Sequence, residues 1–373
     1  MRNKQILEKS IDYALESNTF NKLQLVEQAE NVCVFGLGKY FDEAFESKHM
    51  KEKYKVNLLC DNNPEKWGKK FYGIECVPPE KLKEYKNLVV IITMGNPIGV
   101  MRQLSEMGVV WLTHAHLSLD EMTELPKDKV WFKKESEKLF QVYDLLNDEV
   151  SRKVFSNVIA NRTAFLCAEY SYEEVASRTP EYFDPEVIKL TQQESFVDCG
   201  AYIGDTIKAF LKAVSDYQAV YAFELDYSNY KDMESAYGNM EKIHLYNNAA
   251  WNEEKEIFYS SGEGDNEPRE GISVLKSGEG TTLIGKAVVL DNVLADKEIT
   301  YIKMDIEGAE VPALQGCKKI ISEQKPKLAI CLYHKISDFW EVPLLIKSFR
   351  PDYKFAVRHY NPYGFMGTVL YAW

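Results

Sequence analysis

The stretch Glu194-Ser-Phe-Val-Asp-Cys-Gly-Ala-Tyr-Ile-Gly-Asp-Thr206 constrains the fold of this chain more than any other. Ser195 to Cys199 is a short apolar run that reads as a buried strand. Gly200 and Gly204 bracket a tight turn, and Thr206 to Val214 reads as a helix with Ile207, Phe210 and Leu211 on one face. Strand, glycine turn and helix start, in that order, make a nucleotide-binding corner. Glycine lets backbone N–H groups approach a ligand closely, and a helix start favours negative charge.

Beyond this corner the alternation of strand and helix repeats. Ala219 to Phe223 reads as a strand ending in Glu224, and Tyr227 to Tyr237 as a helix. Ile243 to Asn247 is a further strand, with Asn248 next to it and Ile257 to Tyr259 as a nearby antiparallel strand. Residues 260 to 286 are rich in Gly, Ser and Glu and read as a mobile insertion. Thr300 to Met304 is a strand ending in Asp305-Ile-Glu-Gly-Ala-Glu310, with a helix from Val311. Leu328 to Tyr333 is a strand and Ser337 to Phe349 a helix. Tyr353 to Val357 and Thr368 to Trp373 are two closing strands. Strands alternating with helices build a parallel sheet with ligands at the strand C-terminal ends.

A first α/β unit precedes this one. Lys4 to Leu15 is an amphipathic helix. Strands are expected at Asn31 to Phe35, Tyr54 to Cys60, Leu88 to Thr93 and Val109 to Leu112. Gly36 and Gly38 come after the first strand and Asp61 after the second, the spacing of a dinucleotide-binding half. The third glycine of that fingerprint is absent, since position 41 is Phe. The run Asp61-Asn-Asn-Pro-Glu-Lys-Trp-Gly68 and Phe71-Tyr-Gly-Ile-Glu-Cys-Val-Pro78 resembles the N-terminal nucleotide-sugar-binding domains of bacterial sugar-modifying enzymes.

Between the units, Glu135 to Leu146 and Glu149 to Phe165 carry helical periodicity. Ser171 to Pro185 is irregular and reads as a loop placed to cover the glycine corner. His114 and His116 flank Ala115 without carboxylate partners and read as a solvated or satisfied pair, not as metal ligands. The expected organisation is an N-terminal Rossmann-like α/β domain over 1–115, a helical connector over 116–193, and a C-terminal Rossmann-like sheet over 194–373 that ends in an antiparallel hairpin.

Composition narrows the partners. A net charge of −12 argues against sequence-independent nucleic-acid binding, which needs a basic surface, and against an anionic membrane. No apolar run approaches the roughly 18 residues of a membrane span, and the N-terminus lacks the apolar core of a signal peptide. The seven cysteines include no CxxC pair, and most sit in apolar runs such as Val32-Cys-Val-Phe35. They read as small buried hydrophobes in a reducing compartment. A soluble cytoplasmic protein is expected.

In the second unit Asp198 ends one strand and Glu224 the next. Asn247 and Asn248 stand at the end of a third, and Asp305 and Glu307 at the end of a fourth, all along one sheet edge. An acid at the second strand end suits ribose hydroxyls. Acids flanking the glycine turn suit the cationic methionine moiety of S-adenosylmethionine better than a diphosphate, and the closing hairpin suits a methyltransferase sheet. Residues from about 194 to 373 resemble the FkbM family of S-adenosylmethionine-dependent methyltransferases. The resemblance is carried by Phe196 to Thr206, Ala222-Phe-Glu-Leu-Asp226 and Ile302-Lys-Met-Asp-Ile-Glu-Gly-Ala-Glu-Val-Pro-Ala-Leu-Gln-Gly316, with Pro326 to Ile330 and Arg358-His-Tyr360. It implies O-methylation, commonly of a sugar hydroxyl in a glycan or natural product.

The resemblance also implies site residues. Asp198, Gly200 and Gly204 would line the cofactor, Glu224 would hold its ribose, and Asp305 would close the site. Ala201, Tyr202, Asp205, Thr206, Leu225, Asn247 and Asn248 lie along the same edge. Methyl transfer needs a hydroxyl placed about 3 Å from the methyl group and a group to take its proton. The candidates are Asp305, Glu307 and His334, with Glu310 beside them. Hard oxygens here are of the kind that suit magnesium, but the sequence assigns no metal ligand. The acceptor is expected to be a small molecule or glycan, a nucleotide sugar among them, and the oligomeric state stays open, a homodimer included. The competing reading is a nucleotide-sugar or NAD-binding protein, or an oxidoreductase, working through Gly36, Gly38 and Asp61 with a non-catalytic second half.

Overall fold

The computed structural model describes residues 2–17, 19–47, 50–114, 117, 128–163, 172–260, 273–275 and 283–373. They form two compact units. The first comprises Met1–Phe140, Arg152–Ala176 and Asn361–Phe365, and the second Gln141–Ser151, Ser177–Tyr360 and Met366–Trp373. His116, Cys167 and most of the 260–286 insertion lie outside the described residues. None of the described helices is long and apolar enough to cross a membrane.

The first unit is built on strands β1 (Asn31–Phe35), β2 (Leu58–Cys60), β3 (Lys70–Phe71), β4 (Ile74–Val77), β5 (Leu88–Ile92) and β6 (Val110–Thr113). They lie in the order β3-β4-β2-β1-β5-β6, all parallel except the β3–β4 hairpin. That hairpin falls in the run read as a motif alone; two- and four-residue strands are too short to show alternation. Strand β2 starts at Leu58 and not at Tyr54. Lys55 adopts φ +53 and Val56 N–H bonds Lys51 O at 2.9 Å, so residues 54–57 close the preceding helix instead. Phe41, in place of a third glycine, is buried with its ring 4.8 Å from that of Phe45.

In the second unit the strands are β7 (Ser195–Cys199), β8 (Ala219–Phe223), β9 (Ile243–Tyr246), β10 (Ala249–Trp251), β11 (Lys255–Ser260), β12 (Ser273–Leu275), β13 (Leu283–Val289), β14 (Tyr301–Met304), β15 (Lys327–Cys331), β16 (Phe355–His359) and β17 (Thr368–Ala372). Seven make one sheet in the order β16-β17-β15-β14-β7-β8-β9. Strands β15, β14, β7, β8 and β9 are parallel, and β17 runs antiparallel between β15 and β16. The closing hairpin expected from the sequence is therefore present. The chain turns from β7 to β8 and β9 on one side and to β14 and β15 on the other. This makes β7/β14 the switch point, where open α/β sheets hold ligands. A second, four-stranded sheet in the order β10-β13-β11-β12 takes up described parts of the expected insertion.

Packing fixes the corner in place. The helix Asp205–Ala213 buries Thr206, Ile207 and Phe210, and Phe210 stacks on Phe196 of β7 at 4.7 Å. Phe183 packs edge-on to Phe196 at 5.7 Å. Burying each such ring contributes roughly 1.5–3 kcal/mol. The six described cysteines are free and buried, as small core residues should be.

At the opposite end of β7, Glu194 anchors the sheet. Its fully buried carboxylate accepts Thr191 N–H at 2.7 Å and Thr191 Oγ1 at 3.0 Å, the Thr300 hydroxyl, and Lys327 Nζ at 2.5 Å. Burial works to raise its pKa, but Lys327, Thr300 and the Thr191 N–H outweigh it and hold the group below its ordinary 4.5. A depressed carboxyl stabilises the fold above its unfolded value, and that contribution is lost as pH falls through the folded one. Glu194→Gln is therefore expected to lower unfolding free energy by about 2–4 kcal/mol at pH 7. The deficit should shrink as pH falls below 4.5. Urea unfolding at pH 7 and pH 4 checks this, and a deficit that does not change with pH refutes it.

Candidate active site

The turn after β7 is shaped by a close approach of two chains. Gly200 has φ +75, and a Cβ there would lie 1.8 Å from Asp305 O at the end of β14. Gly200 and Ala201 N–H groups bond Phe223 O at 3.0 and 3.1 Å, and Tyr202 N–H bonds Glu224 Oε2 at 2.8 Å. Gly204, at φ +87, opens the helix that carries Asp205 and Thr206. A Cβ at Gly204 would lie 2.3 Å from the Tyr237 ring, whose hydroxyl donates to Gly204 O at 3.0 Å.

The acids behind the turn differ in their surroundings. Asp198 is fully buried on β7, in register with Lys303 of β14, whose Nζ lies 3.0 Å from its Oδ1. Lys303 Nζ also donates to Gly200 O at 2.7 Å. Burial pushes Asp198 up to about 6 against the pull of Lys303. Burial would lower Lys303, but the Asp198 and Asp305 charges hold it above its usual range. The two therefore face each other beneath the turn as a buried acid–base pair.

Glu224 is buried at the end of β8. Each oxygen accepts one backbone N–H, from Tyr202 and from Asp226 at 2.8 Å each. Burial raises its pKa to about 7, although those two N–H groups favour the ionised form. Asn247 braces this strand end, its Nδ2 donating to Glu224 O and Leu225 O at 2.9 Å each. Leu225 packs with Ile257, Tyr259 and Ala287 of the small sheet, and Asn248 Nδ2 donates to Lys286 O at 3.3 Å. Asn248 and Leu225 thus turn toward the second sheet, while Asp198, Gly200 to Thr206, Glu224 and Asn247 gather at the β7–β8 corner.

Across the switch point, a second group assembles around Asp305. Tyr182 hydroxyl donates to its Oδ2 at 2.9 Å and Tyr333 hydroxyl to its Oδ1 at 2.7 Å. His334 Nε2 lies 3.4 Å from Asp305 Oδ1 and 3.4 Å from Glu307 Oε2, and its Nδ1 lies 2.9 Å from Glu310 Oε1. Burial would lower His334, but Glu310, Asp305 and Glu307 drive it up to about 10. Burial would raise Asp305, but His334, Lys303 and the two tyrosine hydroxyls hold it below its usual value. His334, distant in sequence, is thus brought beside Asp305 and Glu307.

Tyr182, Tyr333, Glu181 and Lys303 complete this group and were not singled out from sequence. Tyr182 belongs to the loop expected to cover the corner, and burial beside Asp305 raises nearby Glu181 to about 7. Three non-glycine residues here, Tyr182, Tyr202 and Glu307, hold left-handed φ values of 65°, 49° and 54°. Strain of this kind, about 1–3 kcal/mol each, concentrates at functional sites. A cleft of about 580 Å³ lined by Ala295, Lys297, Thr300, Gln324 and Lys327 lies at the other, N-terminal ends of β14 and β15 and contains none of these acids.

In the first unit Asp61 is engaged by its own loop. Its Oδ2 accepts Leu37 N–H at 2.8 Å and Lys66 Nζ at 2.8 Å, and its Oδ1 accepts Asn63 N–H at 2.9 Å.

Residues 198–359 match the family model of the methyltransferase FkbM domain, and that stretch lies within the second unit. No curated protein matches the chain. Among solved structures, the methyltransferase FkbM from Methylobacillus flagellatus KT is similar at 22% identity and TM-score 0.68, covering 98% of this chain and 99% of its own. That likeness shows a shared fold. A fibrillarin from Aeropyrum pernix with natively bound S-adenosyl-L-methionine aligns at 10% identity and TM-score 0.33, over 50% of this chain and 70% of its own. SMU.1697c of Streptococcus mutans, in complex with SAH, aligns at 11% identity and TM-score 0.32, over 50% of this chain and 90% of its own.

Proposed function

We propose that the chain, which carries an FkbM methyltransferase domain over residues 198–359, is an S-adenosylmethionine-dependent O-methyltransferase acting on a hydroxyl of a sugar, glycan or related metabolite. The observation that carries this reading is the corner itself. Gly200 and Gly204 hold a turn at the β7/β14 switch point, Glu224 stands at the next strand end, and acids lie on both sides. The donor set supports a cationic, ribose-bearing ligand. Each Glu224 oxygen is engaged once, by a backbone N–H, and keeps a lone pair for a ribose hydroxyl.

Bound there, the cofactor supplies an electrophilic methyl group. The residues around Asp305 do the rest in this reading. His334, driven up to about 10, carries a proton at pH 7 and orients the carboxylates around it. Asp305, ionised and braced by two tyrosine hydroxyls, and Glu307, part-exposed beside it, receive the acceptor hydroxyl and its proton. Tyr182, reaching over from its loop, helps keep water from this point.

Calorimetric titration with S-adenosylhomocysteine tests the reading: saturable binding is expected, and none at millimolar ligand would reject it. Affinity should rise with pH through about 7 as Glu224 ionises and then level off. Glu224→Gln should bind at least about tenfold more weakly above that pH, the loss of one charge-assisted hydrogen bond, and should lose the pH dependence. A variant that keeps it places the ribose elsewhere.

A further inference from the structure

The group on the far side of Asp305 has a property that proton transfer alone does not require. His334 is 4% exposed, its Nδ1 lies 2.9 Å from Glu310 Oε1, and its Nε2 makes no hydrogen bond among the described residues, although carboxylate oxygens of Asp305 and Glu307 each lie at 3.4 Å. One ligand atom from each of Asp305, Glu310 and His334 falls within 4.8 Å of the others. A buried imidazole held by a carboxylate on one nitrogen, with acids near the other nitrogen that it does not hydrogen-bond, is the arrangement expected where a cation sits between them.

We propose that Nε2 of His334, which gives up its proton to solvent as the ion enters, and the carboxylates of Asp305 and Glu307 form a binding site for a hard divalent cation, of the Mg²⁺ or Mn²⁺ class. The two faces of the imidazole are unlike. Its Nδ1 side meets Glu310, which is fully buried and whose Oε1 also accepts Ile306 N–H at 3.0 Å. Glu310 stands behind the ring as the carboxylate that orients a metal-binding histidine. The Nε2 side faces Asp305 and Glu307, whose side chains are 24% and 35% exposed, so an ion can enter and keep water ligands. Oxygens around Mg²⁺ at about 2.1 Å sit about 3 Å apart. The 3.4 Å spacing from Nε2 to each carboxylate needs only a few tenths of an ångström of closure.

Charge favours the same occupant. Asp305, Glu307 and Glu310 surround one histidine. Asp338, packed nearby, is driven above its usual range by burial and by Glu310, and Lys335 Nζ is engaged by Gly308 O. Lys303, also near Asp305, is paired with Asp198. Oxygen-rich ligands with a single imidazole select Mg²⁺ or Mn²⁺ over softer-ligand metals. The ion would lie beside the corner, since Asp305 abuts Gly200. There it would draw in the acceptor hydroxyl and ease its deprotonation. That role rests on the methyl-transfer reading; the binding does not.

Mn²⁺ titration of the chelator-treated full chain, followed by the loss of the free-ion electron paramagnetic resonance signal, tests the proposal. One Mn²⁺ per chain is expected. Glu307→Gln, at a part-exposed position where folding is safe, should weaken it at least tenfold, as should His334→Gln. Glu298→Gln, an exposed acid elsewhere in the unit, should leave it unchanged. No Mn²⁺ binding at millimolar concentration, or equal affinity in wild type and Glu307→Gln, overturns the proposal. S-adenosylhomocysteine titration of the same samples separates the two ideas. Retained S-adenosylhomocysteine binding without Mn²⁺ binding rejects the ion alone, and Mn²⁺ binding without S-adenosylhomocysteine binding supports the ion and rejects the cofactor.

Discussion

Gly200→Ala is expected to abolish S-adenosylhomocysteine binding and to destabilise the second unit by about 4 kcal/mol. Two effects add. A non-glycine residue at φ +75 carries about 1–3 kcal/mol of strain. The new methyl group would also lie 1.8 Å from Asp305 O and 2.9 Å from Asp305 C, which are backbone atoms of an interior strand end. A flexible side chain could swing away; this backbone cannot, so β7 and β14 must part, at a further 1–3 kcal/mol or so. Gly68 provides the control. It has the same φ of +75 and nothing within 4 Å of its Cβ position, so Gly68→Ala isolates the strain. Gly204→Ala should fall between, since its obstacle is the movable Tyr237 ring. Denaturant unfolding, read from each unit's own transition, gives the ranking. If Gly200→Ala costs no more than Gly68→Ala, the close approach at the switch point is not what requires glycine.

The parts of this fold that were legible in sequence are those where one strand or helix declares itself locally. Ser195–Cys199, Ala219–Phe223 and Tyr227–Tyr237 have the bounds that their apolar runs and flanking turn residues set. The β3–β4 hairpin and most of the small sheet were not legible, because their strands are short or lie in polar, glycine-rich chain; its antiparallel strand over Ile257 to Tyr259 was. β10, for example, pairs in parallel with β13, nearly forty residues on. The acids at strand ends could be placed on one edge because a parallel sheet aligns its C-terminal ends. Side-chain direction could not. Leu225 and Asn248 lie just past strand ends like Glu224, yet they turn to the second sheet. Tyr182, 123 residues from Asp305, reaches it only through tertiary packing. Lys303 did leave a signal: a lysine inside the apolar run Tyr301-Ile-Lys-Met304 must find a counter-charge. Which acid answers it depends on strand order, because β14 neighbours β7 although about a hundred residues separate them.

That pair carries the other large expected effect. Asp198 and Lys303 are 0% and 2% exposed, so removing either partner leaves an uncompensated buried charge. Asp198→Ala and Lys303→Met should each destabilise the second unit by about 3–5 kcal/mol. The double variant, with neither charge left, should lose distinctly less than the sum, with a coupling of about 2 kcal/mol or more. The readouts then divide. Because Lys303 Nζ also donates to Gly200 O and lies 5.3 Å from the Tyr182 ring centre, it joins the glycine turn to the loop over Asp305. Stability should therefore recover in the double variant while S-adenosylhomocysteine affinity does not, since the turn has lost its tie to β14. Additive losses of stability would show that the two charges do not need each other. Wild-type affinity in the double variant would show that the turn holds its shape without them.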